Sequence, residues 1–288
     1  MTMSDDGRET AGSLDGIRAE IVHLLERLTS AIEQEYVLKS GPVARSPEQR
    51  RAEIVKRLLL GEPVDPAELG ELDYEVQASW HLGLVATGPE AEELIRTLKT
   101  HFGRRLLLVS LDGTVWAWLG GPEMPATTDV ERLSIRRARG ATFAIGEPGR
   151  GIDGLRLTHD QAQEALGVAL HKPERFARYA DGRVLAATVQ NDTLKRSLRQ
   201  KYMMPLRSQR DGGATLRRTL RTYIDLECNA TSAAEVLKVG RRAVKSRVRA
   251  AERLIGCHLS ECSAELDLAL RLEELDRTAV TDNEPSTQ

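Results

Sequence analysis

Apolar residues within 14–36 recur at Ile17, Ile21, Leu24, Leu25, Leu28 and Ile32 with charges between them, the spacing of one helix face. Gly41 and Pro42 end the pattern. Ser46-Pro47 then opens a second helix that runs through Ile54, Val55, Leu58 and Leu59 to Gly61. This pair either covers the domain that follows or joins two copies of the chain through Ile17, Ile21, Leu24 and Leu28. From Tyr74 to about Tyr179 the pattern alternates. Residues 81–86 read as a strand, 89–102 as a helix, and 105–111 with 114–119 as a strand pair around the Asp112-Gly113 turn. A helix over about 128–138, a strand over 141–146 and a helix over 158–170 complete an α+β sandwich on a largely antiparallel sheet. A connecting helix, 184–204, leads into Pro205, and 208–213 reads as a short flexible joint.

The densest pattern lies at 229–259. A helix begins at Thr231 or Ser232, either of which can accept a bond from an orphan backbone N–H, and Ser232 with Glu235 matches a capping box. Gly240 after Leu237, Lys238 and Val239 supplies a residue able to take positive φ, so the chain turns sharply into a second helix from Arg241. On that helix Val244, Val248, Ala251 and Ile255 form an apolar stripe. Arg242, Ser246, Arg249 and Arg253 occupy the opposite face. A capped helix, a turn and a cationic second helix together describe a DNA-binding helix-turn-helix rather than an ordinary solvated face.

Charge sharpens this reading. Residues 191–260 hold sixteen Lys and Arg against six Asp and Glu, a balance of +10, while the chain as a whole stands at −2; the remainder is therefore −12. A local positive potential of this kind attracts phosphate.

With its flanks, this segment resembles the C-terminal helix-turn-helix of PucR-type and CdaR-type bacterial transcription factors. The resemblance is carried by LRRTLRTYIDLECNAT ending at Thr231, by AAEVL ending at Leu237 and by RAAERLIGCHL ending at Leu259. Where family members carry a His-Arg-Asn-Thr-Val-Arg-Tyr-Arg run, this chain has GRRAVKSR. Arg241, Val244 and Arg247 match and Lys245 keeps the charge, whereas Gly240, Arg242, Ala243 and Ser246 depart. The resemblance implies duplex DNA binding with an altered base preference, by Thr231, Ser232, Arg241, Arg242, Lys245, Ser246, Arg247 and Arg249. It also implies a homodimer, because related regulators engage two half-sites.

The alternating region resembles the GGDEF-like domain that precedes this helix-turn-helix, related in fold to nucleotidyl cyclase domains. An active cyclase carries a Gly-Gly-Asp/Glu-Glu-Phe hairpin, in which the glycines admit substrate and the carboxylates serve metal-assisted phosphoryl chemistry. Here the hairpin is SLDGTVW, and the lone Asp112 fits a turn better than a metal. The Gly-rich run 146–151 follows a strand without G-x-G-x-x-G order or an immediate helix, which argues against a dinucleotide site. The six histidines are scattered, and Cys257, His258 and Cys262 fit no standard zinc spacing. Cys228, Cys257 and Cys262 therefore read as packing or surface residues rather than a disulfide framework. No catalytic residue, metal site or cofactor is expected. The rival classes are an enzyme acting on nucleotides through the middle domain and an adaptor whose helix-turn-helix contacts protein.

At 288 residues and 41% hydrophobic the chain supports more than one core. It has no long apolar run, and its MTMSDDGRET start lacks a basic n-region, so a cytoplasmic, nucleoid-associated protein is expected. The domain map is an N-terminal helical region (1–70), a degenerate GGDEF-like domain (71–182), a helix-turn-helix domain (183–276) and a disordered polar tail (277–288). Relatives sense metabolites through an added N-terminal domain. Residues 1–70 are too short and helical for one, so an effector of unknown identity enters through the middle domain or a partner protein.

Overall fold

The structure, a computed structural model, describes residues 46–281 apart from 112, 138, 139 and 210. The helix expected around Ile17, Ile21, Leu24 and Leu28 therefore lies outside the described residues, as does Asp112. Helix α1 (Pro47–Leu60) opens as expected at Ser46, through a reciprocal pair of bonds. Gln49 N–H donates to Ser46 Oγ at 3.1 Å and Ser46 N–H donates to Gln49 Oε1 at 2.9 Å. A short α2 (Pro66–Gly70) follows, capped by Asp65.

The alternating region is built as α+β. Its elements are β1 (Trp80–Thr87), α3 (Ala91–Phe102), β2 (Arg105–Leu111), β3 (Thr114–Gly121), α4 (Thr127–Arg137), β4 (Thr142–Ile145), β5 (Gly149–Arg150), α5 (Gly151–Ala169) and β6 (Phe176–Arg178). The sheet order is β2-β3-β1-β4-β6, with β5 beside β1, and every pairing is antiparallel except β4 with β6. The β2–β3 register pairs Leu111 with Thr114, and Gly113 takes φ +78° at the tight turn the sequence marks there.

Alternation along β1 decides which helix covers which face. Leu82, Leu84 and Ala86 meet Ala91, Leu94, Ile95 and Leu98 of α3 together with Val130 of α4. Val85 points the other way, to Ala162, Ala165 and Leu166 of α5. On that second side Ile54, Val55 and Leu58 of α1 also pack with Leu107, Val109, Trp118 and Leu155. The second N-terminal helix thus contributes to the core of the sheet domain.

Helix α5 starts seven residues earlier than its hydrophobic period suggests, directly after the Gly-rich run; the expectation of no immediate helix there is corrected. Gly151 and Gly154 disguise the start, since glycine disfavours helix interiors. Packing requires one of them: a Cβ on Gly154 would stand 2.4 Å from the Gly149 carbonyl carbon. The run is spent on close packing of loop against helix. The same helix rides on the sheet backbone at Thr158, whose Oγ1 accepts from Gly83 N–H at 2.8 Å. A Cβ on Gly83 would sit 2.7 Å from the Thr158 carbonyl carbon. Gly83→Ala is expected to destabilise the chain by about 1–3 kcal/mol through overpacking, read as a lower urea midpoint at unchanged slope.

Beyond a 3-10 turn (Tyr179–Asp181) the chain is helical: α6 (Arg183–Val189), α7 (Asp192–Leu198), a π turn (Arg199–Met203), α8 (Met204–Arg207), α9 (Ala214–Asp225), α10 (Ala230–Leu237), α11 (Arg241–Ile255) and α12 (Leu259–Thr281). The single connecting helix expected over 184–204 is corrected to two helices. Asn191 interrupts it by accepting from Leu194 N–H at 3.0 Å as the cap of α7. Pro205 falls in the first turn of α8, where its missing N–H costs least. In the joint, Asp211 accepts from Gly213 N–H at 2.9 Å and Thr215 N–H at 2.8 Å, which fixes the entry to α9. Residues 277–281 are helical, a correction to the expectation of disorder from 277 onward. Among the described residues no helix is long and apolar enough to cross a membrane.

Candidate nucleic-acid interface

Helices α9, α10 and α11 share one core, in which Leu216 and Leu220 meet Ala230, Ala233 and Ala234 of α10 and Val244, Val248 and Ala251 of α11. The small residues on α10 allow α11 to approach closely. Of the predicted apolar stripe, Val244, Val248 and Ala251 are buried and Ile255 is partly so. Gly256 ends α11 at φ +75°, the left-handed cap glycine permits. Glu252 then reaches forward, and its Oε1 accepts from Leu259 N–H at 3.0 Å, stitching the end of α11 to the start of α12.

Two local assignments are corrected. The cap of α10 is Asn229, whose Oδ1 accepts from Thr231 N–H at 3.0 Å and Ser232 N–H at 3.2 Å, so Thr231 and Ser232 lie inside the first turn. An Asn at this position is as strong a cap as Ser or Asp and leaves the two hydroxyls free of that duty. The turn between the helices puts the left-handed residue at Lys238, φ +53°, while Gly240 has an ordinary extended conformation at φ −71° and ψ 145° and caps α11. A glycine is therefore not needed for the turn, and a Cβ at 240 would meet nothing within 4 Å.

On α11 the residues Arg241, Arg242, Lys245, Ser246, Arg249 and Arg253 are exposed. At about 100° per residue, all but Arg241 fall within one stripe roughly 100° wide, along about 16 Å of helix. Thr231 is exposed at the start of α10 and Ser232 is half-buried. Arg247 is set apart: it is half-buried, and its guanidinium donates to Thr219 Oγ1 of α9 at 3.4 Å.

The electrostatics separate this stripe from the rest of the helical domain. Acidic α12 neutralises cations elsewhere: Lys201 meets Glu265 at 2.9 Å, Arg207 meets Glu273 at 2.8 Å, Arg199 meets Asp276 and Arg221 meets Asp267. The +10 balance stopped at Ser260, just before the residues that offset it. Among the described residues, by contrast, no ion pair engages Arg241, Arg242, Lys245, Arg249 or Arg253. The outer face of α11 thus carries a row of cations outside the ion pairs, with exposed Arg218 of α9 and Lys238 before α11 likewise outside them among the described residues. Arg253, a member of that face, belongs with the candidate set, and its place on the exposed side of the helical wheel was the signal for it.

Cys262 is held away from the reactive thiolate form. Cys262 is buried and its S–H donates to the His258 carbonyl at 3.2 Å, while burial and then a hydrogen bond with Cys257 push its thiol up to about 12. Among the described residues no group of three His, Cys, Asp or Glu side chains is placed to hold a metal.

Two family matches fall on these two folded parts. Residues 67–168 match the GGDEF-like domain and residues 216–273 match the PucR C-terminal helix-turn-helix domain. No curated protein matches the chain. Among solved structures, a crystal structure of a regulator of polyketide synthase expression from Bifidobacterium adolescentis is similar at 14% identity. It covers 84% of this chain and 96% of its own, with a TM-score of 0.41.

Proposed function

We propose, from the premise that this chain belongs to the PucR/CdaR-type bacterial transcriptional regulators, that it reads duplex DNA through the outer face of α11 and does no chemistry of its own. The observation that carries the proposal is the unpaired cationic stripe of Arg242, Lys245, Arg249 and Arg253, in a domain where Arg199, Lys201, Arg207 and Arg221 are matched to α12. An α-helix of that width fits the major groove, and a stripe about 16 Å long lets one side meet phosphates while Arg241, Arg242 and Lys245 near its N-terminus reach base edges. Thr231 and Ser232, at the N-terminus of α10, donate to the flanking phosphate in this reading. Arg247 acts by holding α11 against α9.

The protein works in the cytoplasm as a homodimer, because one short helix-turn-helix reads too few base pairs for specificity. The map of 1–70, 71–182, 183–276 and a terminal tail describes its working parts, with α1 lending its apolar face to the sheet domain. Purified full-length protein should enrich a defined set of genomic fragments and protect two half-sites one or more helical turns apart. Enrichment of no fragment at physiological salt, or protection of a single half-site, would contradict this reading.

The sheet domain is silent because its 110–116 hairpin lacks the glycine pair and paired carboxylates of an active cyclase. Incubation with GTP and Mg²⁺ should give no cyclic dinucleotide. Turnover that Asp112→Asn abolishes would restore the enzymatic reading.

A further inference from the structure

Helix α12 belongs to two cores. Leu266, Ala269 and Leu270 pack with the helix-turn-helix, while Leu275 packs beside the cluster that lies between α5 and the sheet. At its far end Thr278 Oγ1 donates to the His171 carbonyl, just past α5, at 2.6 Å. Where α12 crosses the end of α5 a cavity of about 330 Å³ opens between the sheet domain and the helical domain. That volume is at the lower end of the range for small-molecule sites, which favour such seams.

The floor of the cavity is apolar, made by Val168 of α5, Ala177 of β6, Leu185 of α6 and Leu275 of α12. The charged groups on its lining are four cations, Lys172, Arg178, Arg221 and Arg271, against two carboxylates, Asp181 and Glu274. Two of the cations are well occupied: Arg178 by Asp181 at 2.8 Å and Glu131 at 3.2 Å, and Arg271 by Asp267 at 2.8 Å. The other two leave a place for an anion. Lys172 has no ion pair among the described residues. Arg221 is held by Asp267 and by Asp225 at 3.4 Å, while its third carboxylate, Glu274, stands at 3.8 Å with its side chain 68% exposed. An incoming anion can displace Glu274 into water at little cost, since an exposed pair at that distance contributes little.

We propose that this cavity binds a small amphipathic organic acid, its apolar body on Val168, Leu185 and Leu275 and its carboxylate on Lys172 and Arg221, and that occupancy sets the DNA affinity of α11. The regulatory half rests on the DNA-binding reading above. Transmission is short: Arg221 lies on α9 and pairs with Asp267 of α12, and Thr219, two residues before it, accepts the hydrogen bond from Arg247 of α11. An acid that re-aims Arg221 acts on the contacts that seat the cationic helix.

The test uses full-length protein and saturation-transfer NMR with benzoate, phenylacetate and hexanoate, beside benzamide and benzylamine as neutral and cationic controls. At least one acid should bind at about 10 mM or below while both controls fail. Lys172→Glu, a change on the rim, and Leu185→Trp, which fills the cavity, should each abolish the signal. Saturating acid should also shift affinity for a mapped DNA site by about fivefold or more, and Lys172→Glu should remove the shift. Binding of no acid, or binding that persists in Lys172→Glu, overturns the site. Acid binding without a shift in DNA affinity overturns the regulatory half. A chain that binds acid but no DNA upholds the site and removes the DNA-binding reading, so the two failures are distinct.

Discussion

Replacing Arg242 and Lys245 together by alanine is expected to weaken binding to a mapped duplex site by about 100-fold or more, with the fold intact. Both side chains are exposed on one face of α11 and neither enters an ion pair among the described residues, so their removal costs no internal contact. Each lost base contact is worth about 1–3 kcal/mol, and two at about 1.4 kcal/mol each already amount to two orders of magnitude. Unchanged circular dichroism and an unchanged urea midpoint establish that the fold is retained, and anisotropy titration of a labelled duplex reads the affinity. Arg247→Ala should behave differently, losing stability as well as affinity, because its guanidinium is turned to Thr219. If the double variant binds as tightly as the parent, the outer face of α11 is not the reading face.

A second large effect should appear on acidification, and it belongs to the sheet domain. His159 is buried between two indoles, stacked on Trp118 with ring centroids 5.3 Å apart and edge-on to Trp116 at 4.8 Å. Its Nδ1 finds no hydrogen-bond partner among the described residues. Indole faces attract a cation, yet burial without a partner prevails and pushes the imidazole down to about 4. The folded state thus prefers neutral His159, with a folded pKa below the unfolded value near 6.5. Its contribution is complete above about pH 6.5 and is lost as the pH falls towards 4, at about 1.4 kcal/mol per pH unit, a total of about 3 kcal/mol. His81 adds a loss of the same sign: burial lowers it too and outweighs the raising effect of its bond to the Val76 carbonyl at 2.8 Å, while Tyr74 Oη lies 2.8 Å from its Nδ1. Urea unfolding of the parent and of His159→Phe at pH 7 and pH 4.5 isolates the one group. The variant should lose about 2–3 kcal/mol less than the parent between the two pH values, and equal losses would show that His159 is not what titrates.

The regular parts of the fold were the most legible ones. Both faces of β1 are covered, so its alternation of Leu82, Leu84 and Ala86 with Gly83 and Val85 had a fixed meaning, and the turn at Gly113 placed β2 against β3 within a residue or two. Legibility failed where tertiary contact overrode local preference. Gly151 and Gly154 concealed the start of α5, and β6, three residues long, is a strand only because β4 lies beside it. In the helix-turn-helix the inward and outward faces of α11 followed from helical period alone, whereas the cap was misplaced because Asn229, Thr231 and Ser232 are all competent cap residues and only geometry chooses. Charge counting singled out the helix-turn-helix domain for an incomplete reason, since α12 offsets much of the excess and what counts is which cations it leaves unpaired. The cavity at the seam had no sequence signal, being assembled from α5, β6, α6, α9 and α12.

The central claim, that the unpaired cations of α11 engage the DNA polyanion, is tested most directly by the salt dependence of binding to a duplex, compared between the parent and the Arg242, Lys245 double variant. Contacts from Arg242, Lys245, Arg249 and Arg253 release counterions, so the logarithm of affinity should fall against the logarithm of salt with a slope of about −3 to −4 per bound chain. The double variant should be shallower by about 2. A slope near zero, or the same slope in both proteins, would contradict the account.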